Sequence, residues 1–406
     1  MISIVGMFVL GFIAYLFCDN RKAINFRTVL GAFAIQASIA ALVLYVPFGQ
    51  QILASISTGV QSVIGYSDVG IGFIFGNLSN AGNENIGFVF AIKVLPVLIF
   101  FSALVAVLYY LGIVQLVINF LGGGISKLLG TGHAESLSAT ANIFVSQTEA
   151  PLIIRPYIMG MTQSELFAVM VGGMASIAGS LLVGYANMGV DIKYLIASSF
   201  MAAPGGLMMA KLMKPETGTP ELVLENVTYS ESGEPANVID AAASGAIAGM
   251  KLAVNIGAML IAFIALIALL NDSVAGIFGW VGIEGMTVEK MLGYVFFPIT
   301  YLIGVPMEDA VTAGGLIGQK LVLNEFVAYA SMIQIQDTLN AHTQVIITFA
   351  LCGFANFSSI AIMLGGLGSI APKRNNEIAK LGLKAVLAAS LANLMSAALA
   401  GFFITL

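Results

Sequence analysis

Acidic side chains stand in strongly apolar surroundings at three places: Glu149 in Ser146-Gln147-Thr148-Glu149-Ala150-Pro151, Glu325 after Asn324, and Glu308-Asp309 in Gly304-Val305-Pro306-Met307-Glu308-Asp309. A carboxylate carried to the middle of a bilayer costs about 2.5–3.5 kcal/mol on insertion scales. Such a group is retained for binding or ion coupling, or to fix packing beside a cation such as Arg155, Lys93 or Lys320. Glu308 and Asp309 fit a turn that reaches the headgroups, which leaves Glu149 and Glu325 as the functional candidates. Gln147 and Thr148 beside Glu149, and Asn356, Ser358 and Ser359 further on, supply uncharged donors and acceptors. Two acidic acceptors within that array suit a neutral, hydroxyl-rich substrate such as a sugar, nucleoside or nucleobase. Arg155 keeps a dicarboxylate open, and Phe354 is placed to stack on a flat ring or to pack.

Ion coupling needs hard oxygen ligands. Asn142 and Ser176 lie beside helix-breaking positions, where freed carbonyls such as those of Val145 and Ile177 can join them. Neither side chain titrates, so the set favours Na+ over a proton. No G-x-x-x-x-G-K-[ST] loop argues for ATP, and no Ser/His/Asp or Cys/His grouping suggests an enzyme. His133 and His342 stand near hydrophilic edges and read as solvated.

The elements that must hold these groups are membrane helices. Apolar residues make up 59% of 406 positions and charged residues 9%, against about 25% charged in a soluble domain. The net charge of -5 and the absence of a basic cluster point away from nucleic acid, and Cys18 and Cys352 form no disulfide or metal pattern. The run from Met1 to Cys18 lacks a basic start and a small-residue cleavage site, so no secretory signal is expected. Apolar runs of about spanning length cover 1–18, 27–47, 87–119, 165–185, 190–213, 251–271, 343–368 and 382–406. The expected fold is therefore an all-α polytopic membrane protein with about eight transmembrane helices. The stretches at about 120–160 and 291–330 are each two short apolar pieces with polar and Gly/Pro residues between, and read as re-entrant helical hairpins. Arg21, Lys22 and Arg27, then Lys211 and Lys214, then Lys373, Arg374 and Lys380 fall on one side, the cytoplasmic one. Gln50 to Tyr66 reads as an interfacial helix, and the acidic stretch Pro215 to Asn237 as a solvated cytoplasmic linker.

The two hairpins are related by an internal repeat. Asn142-Ile143-Phe144-Val145 returns as Asn324-Glu325-Phe326-Val327, and Thr162-Gln163 as Thr343-Gln344, at offsets of 182 and 181. Each is followed by a span broken by small and polar residues, Gly172-Gly173-Met174-Ala175-Ser176 and Gly353-Phe354-Ala355-Asn356-Phe357-Ser358-Ser359. The basic residues put the hairpin mouths on opposite sides, so the halves are expected to be inverted, with substrate and ion near the midplane. The expected organisation is an N-terminal region 1–86, a first repeat 87–213, a linker with an interfacial helix 214–250 and a second repeat 251–406.

Gln147-Thr148-Glu149-Ala150-Pro151, Asn324-Glu325-Phe326-Val327-Ala328-Tyr329 and Phe354-Ala355-Asn356-Phe357-Ser358-Ser359 closely resemble motifs of the concentrative nucleoside transporter family. The resemblance spans essentially the whole chain, from Asn20-Arg21-Lys22 to Pro372-Lys373-Arg374, and looks most like the bacterial sodium-coupled members. It implies that Gln147, Thr148 and Glu149 bind the nucleobase with Phe354 and Leu181 packed nearby, and that Glu325, Asn356 and Ser359 hold the ribose hydroxyls. It places Na+ at Asn142 and Ser176 with the carbonyls of Val145 and Ile177. It also implies a homotrimer in the bacterial inner membrane that imports nucleosides by an elevator motion. Ser146 stands where many members have Gly, as in pyrimidine-selective animal members, so uridine-like substrates are favoured. A proton-coupled carrier that titrates Glu149 or Glu325 is the rival reading.

Overall fold

The computed structural model describes residues 2–79, 89–218, 235–280, 282 and 284–406. Among these, every regular element is helical. Six helices are long and apolar enough to cross a membrane: Phe26–Leu44, Phe90–Tyr110, Gln163–Met188, Ile192–Met213, Val238–Gly279 and Pro372–Ile404. Ile2–Leu16, and the pair Ala341–Leu351 and Ser358–Ile370, are apolar but individually shorter. The sequence reading expects about eight spans; among the described residues six helices reach spanning length. The acidic residues Glu221, Glu225, Glu231 and Glu234 of the expected linker lie outside the described residues.

Boundaries differ from the hydropathy reading in four places. The run 87–119 is divided at Gly112, whose φ of 78° admits glycine most readily, and Ile113–Leu129 is a separate amphipathic helix ending at Gly130 (φ 67°). The first hairpin therefore comprises His133–Ala141 and the short helices Ala150–Ile153 and Arg155–Ile158, around a non-helical tip. The second comprises Ala310–Val322 and Glu325–Ile335, and Val288–Leu302 precedes it as its own helix. Helix Val238–Gly279 begins ahead of the apolar run at 251, immediately after the expected linker Pro215 to Asn237, and takes in the 238–250 stretch expected to be an interfacial helix. Pro47–Phe75 extends the helix expected at 50–66.

Two sets of contacts define the ends of the bundle. At one, Asp19 receives Lys214 Nζ at 3.1 Å and also pairs with Lys384, while its N–H donates to Met213 O at 3.1 Å. Burial acts to raise the Asp19 carboxyl, but the two lysines outweigh it and hold it below its usual range. Arg374 donates to Ile158 O and Met161 O, each at 2.8 Å, so the base of the first hairpin sits at this basic end. At the other end, Asp309 accepts from Asn340 N at 3.0 Å and Thr343 Oγ1 at 2.6 Å, which anchors the base of the second hairpin. There Gly6 lies so close to Leu302 that a Cβ would meet its carbonyl oxygen. The first and last apolar helices pack on each other between these two sets of contacts.

Local sequence explains the hairpin joints. Thr162 caps Gln163–Ala175 by accepting from Glu165 N at 3.1 Å, and Glu165 Oε2 accepts from Thr162 N at 2.9 Å, a capping box. Asn324 caps Glu325–Ile335 by accepting from Val327 N at 2.9 Å. The cap points Glu325 into the first turn, where the positive end of the helix dipole favours a carboxylate.

Candidate functional site

The two broken spans meet at their breaks. Gln163–Ala175 ends at Ser176, whose backbone is extended, and the chain resumes as Gly179–Met188. Ala341–Leu351 ends at Cys352 and resumes at Ser358. Between them Phe354 N donates to Ser176 O at 3.2 Å, and Gly353 packs against Ala175 O where a Cβ would come within 2.7 Å. A peptide group freed by one break thus satisfies one freed by the other, as apolar surroundings require. The first hairpin tip joins the crossing through Gly179 N, which donates to Phe144 O at 3.2 Å. Gly173 admits Gln147, and Gly366 admits Thr148, at distances any side chain there would close.

A cavity of about 850 Å³ opens beside this crossing. Its walls bring together Ser146, Gln147, Thr148, Glu149, Leu181, Glu325, Phe354, Asn356 and Ser359, the full substrate set named from sequence. Gln147 is buried and donates to Ser359 Oγ at 3.5 Å, and its Oε1 has no hydrogen-bond partner. Glu149 accepts from Ser146 N at 2.9 Å and otherwise faces the cavity. Ser146 Oγ and Thr148 Oγ1 lie 3.0 Å apart. Glu325 is buried, accepting from Tyr185 Oη at 3.0 Å and from Asn356 Nδ2 at 3.2 Å. Asn356 Oδ1 accepts from Ser359 N at 2.9 Å, so a continuous chain runs Tyr185, Glu325, Asn356, Ser359, Gln147.

Among the described residues neither carboxylate makes a contact ion pair. Among the described residues no Lys or Arg lies within 4.0 Å of Glu149 or Glu325. Lys93 instead sits 3.7 Å from Asp68, and Lys320 bonds Ala350 O and Asn393. Lys320 nevertheless attracts the Glu325 carboxylate through space from beyond that distance.

The four residues named for Na+ are buried, two in the first hairpin tip and two in the first break. Asn142 is 1% exposed, its Nδ2 donates to Ser138 O at 2.8 Å, and its Oδ1 has no partner. Ser176 is 2% exposed, and its Oγ donates to Gly172 O at 3.0 Å. Val145, in the hairpin tip, and Ile177, in the break, are buried. An orphaned amide oxygen in a buried pocket is costly unless a ligand takes it.

Sequence reading missed Tyr185, Lys251 and Asn255. Tyr185 is fully buried, stacked 4.5 Å from Phe326 and 4.7 Å from Tyr329 by ring centroids. Its only signal is a hydroxyl within an apolar run. Lys251 and Asn255 line the cavity from helix Val238–Gly279, which packs on Leu95–Tyr110 through Gly245 and Gly249. Cβ atoms at those glycines would meet Ser102 O at 2.6 Å and Ile99 Cα at 2.7 Å, the close approach that a Gly-x-x-x-Gly spacing provides.

Residues 5–78 and 194–401 match the N- and C-terminal regions described as "Na+ dependent nucleoside transporter", and residues 91–192 match a region described as "Nucleoside recognition". Nucleoside permease NupC of Helicobacter pylori is 49% identical over 100% of this chain and 98% of its own. The chain belongs to the Na+-dependent nucleoside transporter family. Sodium/nucleoside cotransporter 1 of Rattus norvegicus is 37% identical over 99% of this chain, which spans 63% of that longer protein. The structure of CNTnw in an inward-facing substrate-bound state is 52% identical with a TM-score of 0.95, covering 100% of this chain and 98% of that one. An outward-facing state of a doubly substituted CNTnw gives the same identity and TM-score, covering 100% and 97%. The chain is accordingly a multi-pass membrane protein of a transport family, not an enzyme.

Proposed function

We propose that this chain is a Na+-coupled symporter that imports nucleosides, uridine-like pyrimidine nucleosides above others, across the inner membrane of a bacterium. The carrying observation is the single cavity in which the first hairpin tip meets the chain Tyr185, Glu325, Asn356 and Ser359, next to the orphaned Asn142 oxygen. Gln147, Thr148 and Glu149 present mixed donors and acceptors to the edge of a base, with Phe354 and Leu181 as apolar walls. Glu325, Asn356 and Ser359 present a carboxylate, an amide and a hydroxyl to vicinal ribose hydroxyls. Na+ enters at Asn142, Val145, Ser176 and Ile177, where it braces the hairpin tip against the break and so prepares the base site.

The helix pair Leu95–Tyr110 and Val238–Gly279 packs largely on itself and forms one cavity wall, whereas both hairpins and both breaks form the other. That division supports an elevator motion of the hairpin-bearing body against the paired helices. The same paired helices present exposed apolar residues such as Ile247, Val254 and Ile261, consistent with a homotrimer or with lipid around it.

Titration of uridine into purified protein in detergent tests this reading. Binding is expected in Na+ and weakened about tenfold or more in choline, with Asn142→Ala reproducing the choline result in Na+. Equal binding in both salts, and an Asn142→Ala variant like wild type, would favour the proton-coupled carrier.

A further inference from the structure

The repeat that relates the two hairpins also relates two very different residues. Four positions before Asn142 stands Ser138, and four positions before its counterpart Asn324 stands Lys320. Both are buried. In the first half Ser138 Oγ and Asn142 Oδ1 have no hydrogen-bond partners. In the second half the same place holds an ammonium, which donates to Ala350 O at 2.8 Å and to Asn393 Oδ1 at 2.7 Å.

The acceptors of that ammonium belong to the second helix break. Ala350 lies in the last turn of Ala341–Leu351, whose carbonyl end carries the negative pole of the helix dipole. Asn393, on Asn375–Ile404, relays the contact: its Nδ2 donates to Cys352 O at 3.0 Å and to Ala175 O at 2.6 Å. One side chain therefore touches both breaks, with Lys320 behind it. Among the described residues no carboxylate lies within 4.0 Å of Lys320. A buried ammonium is expensive; Glu325 attracts it from beyond contact distance, and carbonyl and amide oxygens at the break make its hydrogen bonds. Half-helix C-termini and unwound carbonyls at mid-membrane are the groups that take coupling cations in inverted-repeat carriers.

We propose that Lys320 is a resident cation, occupying at the second helix break the role that exchangeable Na+ plays at the first. The first half leaves its hydroxyl and amide oxygens open for an ion from solution, and the second half is permanently filled by its own side chain. The carrier then moves one exchangeable Na+ per nucleoside, and its second break stays braced through the whole cycle. Lys320 is a positioning residue: it acts on the site through Asn393, the break carbonyls and its charge on Glu325, and does not touch substrate. This inference rests on Na+ coupling as proposed above.

Lys320→Ser installs the first-half residue and tests it in sealed proteoliposomes. Wild type is expected to show hyperbolic Na+ activation of uridine uptake and one charge moved per uridine. For Lys320→Ser the expectation is sigmoidal activation, about tenfold more Na+ for half-saturation, and a charge ratio rising towards two. In detergent its thermal transition should fall in choline and recover with Na+ more than that of wild type. Lys320→Arg keeps the fixed charge and should retain hyperbolic activation. Hyperbolic activation in Lys320→Ser with an unshifted midpoint would overturn the proposal, as would a folded variant equally inactive and equally labile in Na+ and choline. Should Lys320→Ser fail to fold, a wild-type ratio of two, or sigmoidal activation in Lys320→Arg, still refutes it, and a ratio of one with hyperbolic Lys320→Arg supports it. A wild type indifferent to Na+ would instead remove the coupling reading itself.

Discussion

Replacing Tyr185 by Phe removes one oxygen atom from the middle of the site and little else. The ring remains wedged 4.5 Å from Phe326 and 4.7 Å from Tyr329, so packing is retained. What disappears is the 3.0 Å hydrogen bond to Glu325 Oε1, leaving Asn356 as the remaining donor to that carboxylate in the Tyr185–Glu325–Asn356 chain. A hydrogen bond to a charged group contributes about 1.5–3 kcal/mol, which corresponds to roughly 10- to 150-fold in an equilibrium constant. If Tyr185 holds Glu325 in position for the ribose, Tyr185→Phe should raise the half-saturating uridine concentration by at least about tenfold. The loss should be specific to the sugar end. A 3′-deoxynucleoside, already short of one hydroxyl contact, should lose much less affinity in the variant than uridine does, a non-additive cycle. Uptake competition in membrane vesicles, with protein quantified by immunoblot, reads both quantities. Equal losses for uridine and its 3′-deoxy analogue would refute the placing of Glu325 at the ribose. Unchanged uridine affinity would remove Tyr185 from the site.

Three further perturbations probe the base pocket and the scaffold. Ser146→Gly removes a hydroxymethyl group from the cavity wall beside Thr148. Purine nucleosides should then compete with uridine about tenfold better, and unchanged competition would make Ser146 irrelevant to base choice. Lys211 pairs with the fully buried Glu135 at 2.7 Å and also reaches Ser164 Oγ at 3.0 Å. Lys211→Met strands that carboxylate and should cost about 3–5 kcal/mol in thermal unfolding, most of it recovered in Lys211→Met/Glu135→Leu; a single variant as stable as wild type would contradict the pairing. Because Lys384 and Lys214 hold the Asp19 carboxyl low, its contribution is present above the ordinary carboxylate range and is lost as pH falls through its depressed folded value. Asp19 is half exposed, so Asp19→Asn should cost no more than about 1 kcal/mol near neutrality. The gap to wild type should close in acid, and a gap that widens there would reverse the sign of the argument.

The parts of the site legible in the sequence are those whose residue type offends its surroundings. Glu149 and Glu325 interrupt apolar runs, Ser176 and Asn356 stand at glycine-containing breaks, and Asn142 recurs as Asn324 in the repeat, so each announces itself without tertiary information. The repeat adds that the two sets belong to equivalent hairpins. Tyr185 gives no such signal, because a tyrosine is apolar enough to sit in a span and its hydroxyl partner lies 140 residues away. Helix Val238–Gly279 was obscured for a different reason. Its first turns carry Asp240, Ser244, Gly245 and Gly249, which lower hydropathy, yet Gly245 and Gly249 serve close helix packing and Ser244 lines the cavity. Hydropathy measures affinity for lipid, and residues chosen to contact another helix or a watery cavity fall below its threshold. Ile113–Leu129 shows the converse: its apolar face joined it to its neighbours in the hydropathy pattern until Gly112 and Gly130 separated it in space.

The central claim is that a Na+ gradient drives a nucleoside through the Glu149–Glu325 cavity. One Na+ moving down about 100 mV releases ~2.3 kcal/mol, and a ~tenfold gradient adds ~1.4 kcal/mol, enough for accumulation of roughly several hundred-fold. The measurement is uptake of labelled uridine into sealed proteoliposomes with an inward Na+ gradient and an interior-negative potential. The account predicts accumulation well above the external concentration, abolished by choline and by Glu325→Gln in protein that still inserts normally. Uptake that merely equilibrates, or that accumulates without Na+ in response to pH, would contradict it.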